Sequence, residues 1–184
     1  MRELSLNILD IAQNSISANA SLIEIEIIED TVKNELTIGI YDNGKGITEE
    51  QVEAVQDQFF TTRTTRKVGM GVPLFKLAAE QTGGGLSIVS QLGKGTRVTT
   101  VFKTDSIDFT PLGDINSTIL TLITMNTDRD FIYKLRVDEK EFVLSTSELK
   151  EILGDVPLNE PSISQWIKEY LNEQTSIIRG GVNK

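Results

Sequence analysis

The chain has no histidine and no cysteine among its 184 residues. Without cysteine there is no disulfide, no thiolate nucleophile and no cysteine-held zinc or iron–sulfur centre. Without histidine there is no Ser–His–Asp relay, no imidazole metal site and no phosphohistidine within the chain. Positive charge is also short: 18 Lys and Arg against 27 Asp and Glu leave a net charge of −9. Such a chain repels a phosphate backbone at long range, so nucleic acid is not an expected partner. No apolar run approaches the ~18–20 residues that cross a bilayer. The opening Met1-Arg2-Glu3-Leu4-Ser5-Leu6-Asn7 is broken by polar residues and is not a signal peptide. No membrane partner and a cytoplasmic location are therefore expected. Internal repeats and low-complexity segments are absent.

What is there is ordinary for a soluble globular protein, 39% hydrophobic and 24% charged. The length suits one well-buried core with a small appendage. Leu4, Ile8, Ile11, Ala12 and Ser15 recur at helical spacing, so a helix is expected over residues 3–19. Residues 21–29 alternate Ile with Glu, the mark of a half-buried strand, and residues 35–41 repeat the pattern after a polar turn. These two read as an antiparallel hairpin. Thr48 suits the start of a helix over residues 49–56. Residues 59–68 lack periodicity and read as a loop. A helix through Leu74 and Leu77 stops at Gly83-Gly84-Gly85, and strands follow at 86–91 and 96–103. The order fits a two-layer α+β sandwich, with helices on one face of an antiparallel or mixed sheet. Downstream come a helix to about Met125 and a hairpin around Asp138-Glu139-Lys140. Ser145 to Glu148 read as a capping box, and a last helix runs from Pro161 to about Leu171. Two units are expected: residues 1–104, and a small α+β region over residues 105–184.

Three short segments carry chemistry. Asp10 and Asn14 are one helical turn apart and can share a bound ion with its water shell. Mg²⁺ prefers oxygen ligands and keeps several waters, which an Asn amide oxygen and ligand phosphates suit. The bland alternative is a solvated helix face. Asp42-Asn43-Gly44-Lys45-Gly46 follows a buried strand. There a carboxylate can accept a hydrogen bond from an adenine amino group while Gly44 and Gly46 admit close approach; a plain hairpin turn is the alternative. Gly69-Met70-Gly71-Val72-Pro73 opens a helix, where free N–H groups and the helix dipole suit phosphate; a loop meeting a helix is the alternative. Between the last two segments, Gln58 to Lys67 hold three cations and four hydroxyls in ten residues. Thr61, Thr62, Arg63, Arg66 and Lys67 can close over a triphosphate, or can be a solvated loop tip. Phe59 and Phe60 suit anchoring of that loop. Gly95-Thr96 starts a strand and can deliver the Thr96 hydroxyl to adenine, directly or through a water shared with Asp42; a plain strand turn is the alternative. In an acidic chain, ATP must be held by such local groups.

Asn14, Asp42-Gly44-Gly46, Gly69-Gly71 and Gly95-Thr96 together resemble, in order, the signatures of the GHKL ATPases, which include gyrase-type topoisomerases, heat-shock chaperones, histidine kinases and MutL-type repair proteins. The resemblance covers residues 3–103. Phe59-Phe60-Thr61-Thr62-Arg63 and the run from Gln81 to Thr96 are similar to histidine-kinase segments. The resemblance implies the Bergerat-type ATP-binding fold with ATP and Mg as cofactors. It implies that Asn14 coordinates Mg²⁺, that Asp42 reads the adenine amino group aided by Thr96, and that the glycines line ribose and phosphates beside Met70 and Val72. Asp10 falls where hydrolytic members and anti-sigma-factor kinases place a Glu general base, one methylene longer. Sensor kinases commonly carry a cation at the position of Ser17, so the phosphate charge would fall to Arg63, Arg66 or Lys67. With no histidine and no helical-hairpin or transducer domain, the expectation is a stand-alone ATP-binding protein like one found in anaerobic bacteria. Its expected role is a nucleotide-dependent regulatory module with slow or no hydrolysis and a protein partner. The alternative is a kinase acting on Ser, Thr or His of a separate protein.

Overall fold

The alternating Ile and Glu residues set one strand at the middle of a six-stranded mixed sheet. The computed structural model describes residues 3–56 and 71–180. Its helices are α1 (Leu4–Ser17), α2 (Glu49–Gln56), α3 (Gly71–Gln81), α4 (Ile115–Met125), α5 (Thr146–Leu153) and α6 (Pro161–Ile178). Its strands are β1 (Leu22–Asp30), β2 (Glu35–Asp42), β3 (Gly85–Gln91), β4 (Gly95–Lys103), β5 (Asp130–Val137) and β6 (Lys140–Ser145). The spatial order is β3-β4-β2-β1-β5-β6. Every neighbouring pair is antiparallel except β1 and β5.

Strand periodicity sorts the side chains. Ile23, Ile25 and Ile27 face the same way as Ile38 and Ile40 across the β1–β2 ladder, and all five are buried. Leu4, Ile8, Ile11 and Ala12 of α1 are buried in the same core. Glu24 and Glu26 alternate to the other face, where Lys134 pairs with Glu24 and the Tyr41 hydroxyl donates to Glu26. The helices therefore cover one face of the sheet, as the two-layer reading expects.

Local signals largely determine the ends of these elements. The Gln51 amide donates to Thr48 Oγ1 at 3.2 Å while the Thr48 amide donates to Gln51 Oε1 at 2.9 Å, a reciprocal cap for α2. Asp114 caps α4 by accepting from the Ser117 amide at 3.1 Å. Two details depart from expectation. Ser145 precedes α5 but makes no side-chain cap bond, because its hydroxyl is engaged with that of Ser147. The last helix runs on to Ile178, since Leu171 and Ile178 keep its buried face going and Thr175 pairs with Asn116 of α4.

The C-terminal region extends the sheet. β5 lies parallel to β1, with Ile25 opposite Tyr133 and Ile27 opposite Leu135. It also supports the α1–β1 turn: the Asp130 amide donates to Ser21 O at 2.8 Å, and the Arg129 guanidinium donates to Ala20 O. No described helix is long and apolar enough to cross a membrane.

Candidate functional site

The register places a polar row at one end of the sheet. Ser90 lies opposite Thr96, Thr96 opposite Asp42, and Asp42 opposite Ile23. The next row inward is apolar, with Ile88, Val98, Ile40 and Ile25 side by side. A cavity of about 660 Å³ opens over these rows, between the sheet and the helices. Ile40, Ile88 and Val98 line it, as do Ile11, Asn14 and Ser15 of α1 and Val72 of α3. Thr96, Gly46 and Asp42 complete the polar end, and Asp42 and Lys45 are the only charged residues among the described lining. An apolar slot with a few converging polar groups is the usual form of a small-molecule site.

Asp42 is held on both oxygens. Oδ2 accepts from the Ser15 hydroxyl at 2.6 Å, and Oδ1 accepts from the Gly44 amide at 2.8 Å. An ionised carboxylate offers about four acceptor sites, so roughly two remain for a ligand. The loop that follows is pinned as well. Asn43 Oδ1 accepts from the Ser21 and Leu22 amides, each at 2.9 Å, and the Lys45 amide donates to Ala18 O at 2.9 Å.

Two glycines make this crowding feasible. Gly46 has φ +72°, and a Cβ there would collide with the Gln91 carbonyl. Gly95 has φ +125°, and a Cβ there would strike the Asp42 carbonyl. Both conformations favour glycine, and both let backbone pass against backbone at the polar end of the cavity.

Asn14 lines the cavity, and Asp10 sits one turn earlier on α1. Asp10 is exposed at the rim and is not part of the lining. It stands beside the start of α3: a Cβ built on Gly71 would lie 3.0 Å from that of Asp10. Partial burial pushes the Asp10 carboxyl above its ordinary value. The described residues hold no group of three or more Asp, Glu, His or Cys that could bind a metal by itself. An amide oxygen and a carboxylate one turn apart do suit Mg²⁺ carried on phosphate, which takes few protein ligands and keeps its waters. Thr61, Thr62, Arg63, Gly69 and Met70 lie outside the described residues, as do Phe59, Phe60, Arg66 and Lys67.

Three segments far apart in sequence thus meet around one cavity. A family model described as histidine kinase-, DNA gyrase B-, and HSP90-like ATPase matches residues 1–106. The chain belongs to that family. It is similar to the sensor protein SrrB of Staphylococcus aureus (strain NCTC 8325 / PS 47), 40% identical over 78 residues. That stretch is 40% of this chain and 13% of SrrB, so the chain spans a small part of that relative's length. Among solved structures it is similar to the N-terminal domain of a DNA repair protein, with TM-score 0.54 and 19% identity over 78% of this chain and 52% of the other. It is also similar to the ATPase domain of Aquifex aeolicus MutL complexed with ADP, with TM-score 0.50 and 17% identity over 83% and 69%. At such identity the likeness to these structures is one of fold.

Within this histidine kinase-, gyrase- and HSP90-like ATPase domain, the sequence pointed to Asp42, Gly46, Asn14, Val72 and Thr96 at the cavity, and to Gly71 beside Asp10. It missed Ser15 and Ser90. Ser15 passed as one of the residues on an apolar helix face. Ser90 continues the inward series of Leu86 and Ile88, and a hydroxyl at the end of an inward-facing apolar series is the signal that could have found it.

Proposed function

We propose that the cavity binds Mg·ATP and that the chain acts as a nucleotide-dependent regulatory module with slow or no hydrolysis. The observation that carries this reading is Asp42, a doubly anchored carboxylate at the polar end of a slot whose sheet floor is apolar. Such a group asks for a hydrogen-bond donor on a flat apolar ligand, which the adenine amino group supplies. Asn14 would hold Mg²⁺ at the other end of the base and sugar, and Mg²⁺ would neutralise phosphate charge there. The start of α3 at Gly71 and Val72 offers free N–H groups to the phosphates. Gly44 and Gly46, where a Cβ would strike Ala18 and Gln91, would let the loop pack close below the base. Gly69, Met70, Thr61, Thr62 and Arg63 belong to the same proposed phosphate-side set. Residues 1–104 would form the binding unit and residues 105–184 would buttress it, with a protein partner reading the nucleotide state.

The alternative is a kinase for Ser, Thr or His of a separate protein. Asp10 favours it, because a carboxyl of raised basicity beside a phosphate-binding helix start suits a general base. Isothermal titration with Mg·ATP, Mg·ADP and Mg·GTP tests the proposed binding. Saturable ATP binding with weaker GTP binding is expected, and no ATP binding at millimolar concentration overturns it. Labelled phosphate on a co-purified protein, abolished by Asp10→Asn with ATP affinity kept, would favour the kinase.

A further inference from the structure

Ser90 lies outside the cavity lining, yet its hydroxyl meets three groups that shape the polar end. The Ile47 amide donates to Ser90 Oγ at 2.9 Å. The Gly95 carbonyl lies 3.0 Å from Ser90 Oγ, and Thr96 Oγ1 lies 2.8 Å from it. A hydroxyl has one proton and two lone pairs. Ile47 occupies one lone pair. The Gly95 carbonyl can only accept, so it takes the Ser90 proton. The remaining lone pair then accepts the Thr96 proton. This is the one proton arrangement that satisfies all three contacts, and leaving one unmade in a part-buried site is costly. It turns the free lone pairs of Thr96 toward the cavity that Thr96 lines.

We infer that Ser90 is a positioning residue for base selection: it holds Thr96 as a hydrogen-bond acceptor beside Asp42. The cavity end then presents two acceptors on adjacent strands, in register with each other. Two acceptors suit the two hydrogens of an exocyclic amino group, met directly or through one water. They repel an oxo group at the same ring position. This rests on the proposed nucleotide reading and deepens it, assigning the amino-over-oxo preference to a residue that does not touch ligand.

The test compares dissociation constants for Mg·ATP and Mg·ITP, which differ in amino against oxo at one ring position. Wild-type protein should prefer ATP by about tenfold or more. Ser90→Ala frees the Thr96 proton to turn toward an oxo group, and the preference should fall by about threefold or more. Ser90→Thr keeps a hydroxyl and should retain the wild-type preference. A merely structural role for Ser90 would weaken both nucleotides alike and leave the ratio in place. An unchanged or larger ratio in Ser90→Ala overturns the inference, as does a Ser90→Thr ratio as low as that of Ser90→Ala. Should Ser90→Ala fail to fold, Thr96→Val decides. Losing an acceptor lowers the ATP preference, whereas an unchanged or raised preference means that Thr96 was not acting as one. Wild-type protein that binds ATP and ITP equally also overturns the inference. Wild-type protein that binds neither overturns the nucleotide reading itself.

Discussion

Ser15 and Asp42 are 27 residues apart in sequence, and the Ser15 hydroxyl donates to Asp42 Oδ2 at 2.6 Å. The bond joins α1 to the end of β2 at one edge of the cavity. Hydrogen bonds to an ionised acceptor are short and stronger than neutral ones. Ser15 is buried, so its hydroxyl is held close against the carboxylate. The Ser15 bond and the Gly44 amide together orient the carboxylate before any ligand arrives. Ser15→Ala should therefore weaken Mg·ATP binding by about tenfold, read by isothermal titration, with the fold retained. Unchanged affinity would mean that Gly44 alone positions Asp42.

Asp42→Asn replaces an acceptor-only group by one that offers an amide. The Asn side chain can turn its NH₂ toward the cavity and oppose an amino group. A loss of about 1–3 kcal/mol in ATP binding is expected. Thermal shift is a quick check, because stabilisation follows ligand concentration over Kd. Wild-type protein should be stabilised more by Mg·ATP than by Mg·GTP, and Asp42→Asn should narrow the gap. Equal shifts with both nucleotides in wild-type protein would count against base reading by Asp42.

The residues that define this site were legible to different degrees. The Ile–Glu alternation of β1 has period two, so it revealed both the strand and its buried face, and the two-layer fold followed. Asp42, Asn14 and Val72 could be picked out as candidates because glycine spacing and helix starts are local signals, and all three line the cavity. The parallel pairing of β5 with β1 was not legible, because register between strands more than 100 residues apart leaves no local trace. Ser15 and Ser90 were hidden for a related reason. Each is a small polar residue on an apolar face, and its role exists only once strands and helix are packed. The end of α6 was placed at about Leu171 because the next buried apolar residue, Ile178, comes only about two turns later, and the turns between are held by Thr175 against Asn116 of α4.

Asp10 carries a pH signature. Partial burial raises its pKa above the ordinary value of 3.8, so the folded protein disfavours the charged form. A raised folded pKa means stability that is present below the unfolded value and is lost as pH rises through the folded value. Asp10→Asn should thus raise the melting temperature of ligand-free protein at pH 7, by a small amount because solvent screens this exposed position. The gain should vanish below about pH 3.8. Scanning calorimetry of both proteins at pH 7 and pH 3.5 checks it. A gain that persists at the lower pH would trace to packing instead of charge.

Gly95 is where a single methyl should do most harm. Its φ of +125° is poorly accessible to side-chain-bearing residues, and the added carbon would meet the Asp42 carbonyl. Gly95→Ala has to displace either β4 or the end of β2, the two strands that carry Thr96 and Asp42. A loss of about 2–4 kcal/mol is expected from urea unfolding. A loss under about 0.5 kcal/mol would mean that the turn relaxes freely, within the range of ordinary surface substitutions.

Arg179 and Glu29 make the corresponding tie at the far end of β1. Two guanidinium nitrogens reach the two Glu29 oxygens at 3.1 and 2.6 Å, fixing the end of α6 to the sheet. The hydrogen bond to Glu29 raises the Arg179 pKa, so the cation persists across the accessible range. Tyr133 lies nearby, and burial pushes its phenol well above the ordinary value, so no phenolate forms there to compete with Glu29 for the guanidinium. Arg179→Ala should cost about 1 kcal/mol, between the worth of an exposed pair and a bidentate buried one. Hydrogen exchange should quicken in the last turns of α6. ATP affinity should change less than about twofold, because Glu29 pairs with Leu36 whereas Asp42 pairs with Ile23, at opposite ends of the same ladder. A larger loss of affinity would show that the C-terminal helix communicates with the nucleotide cavity, which would make that helix the first place to seek the partner's readout.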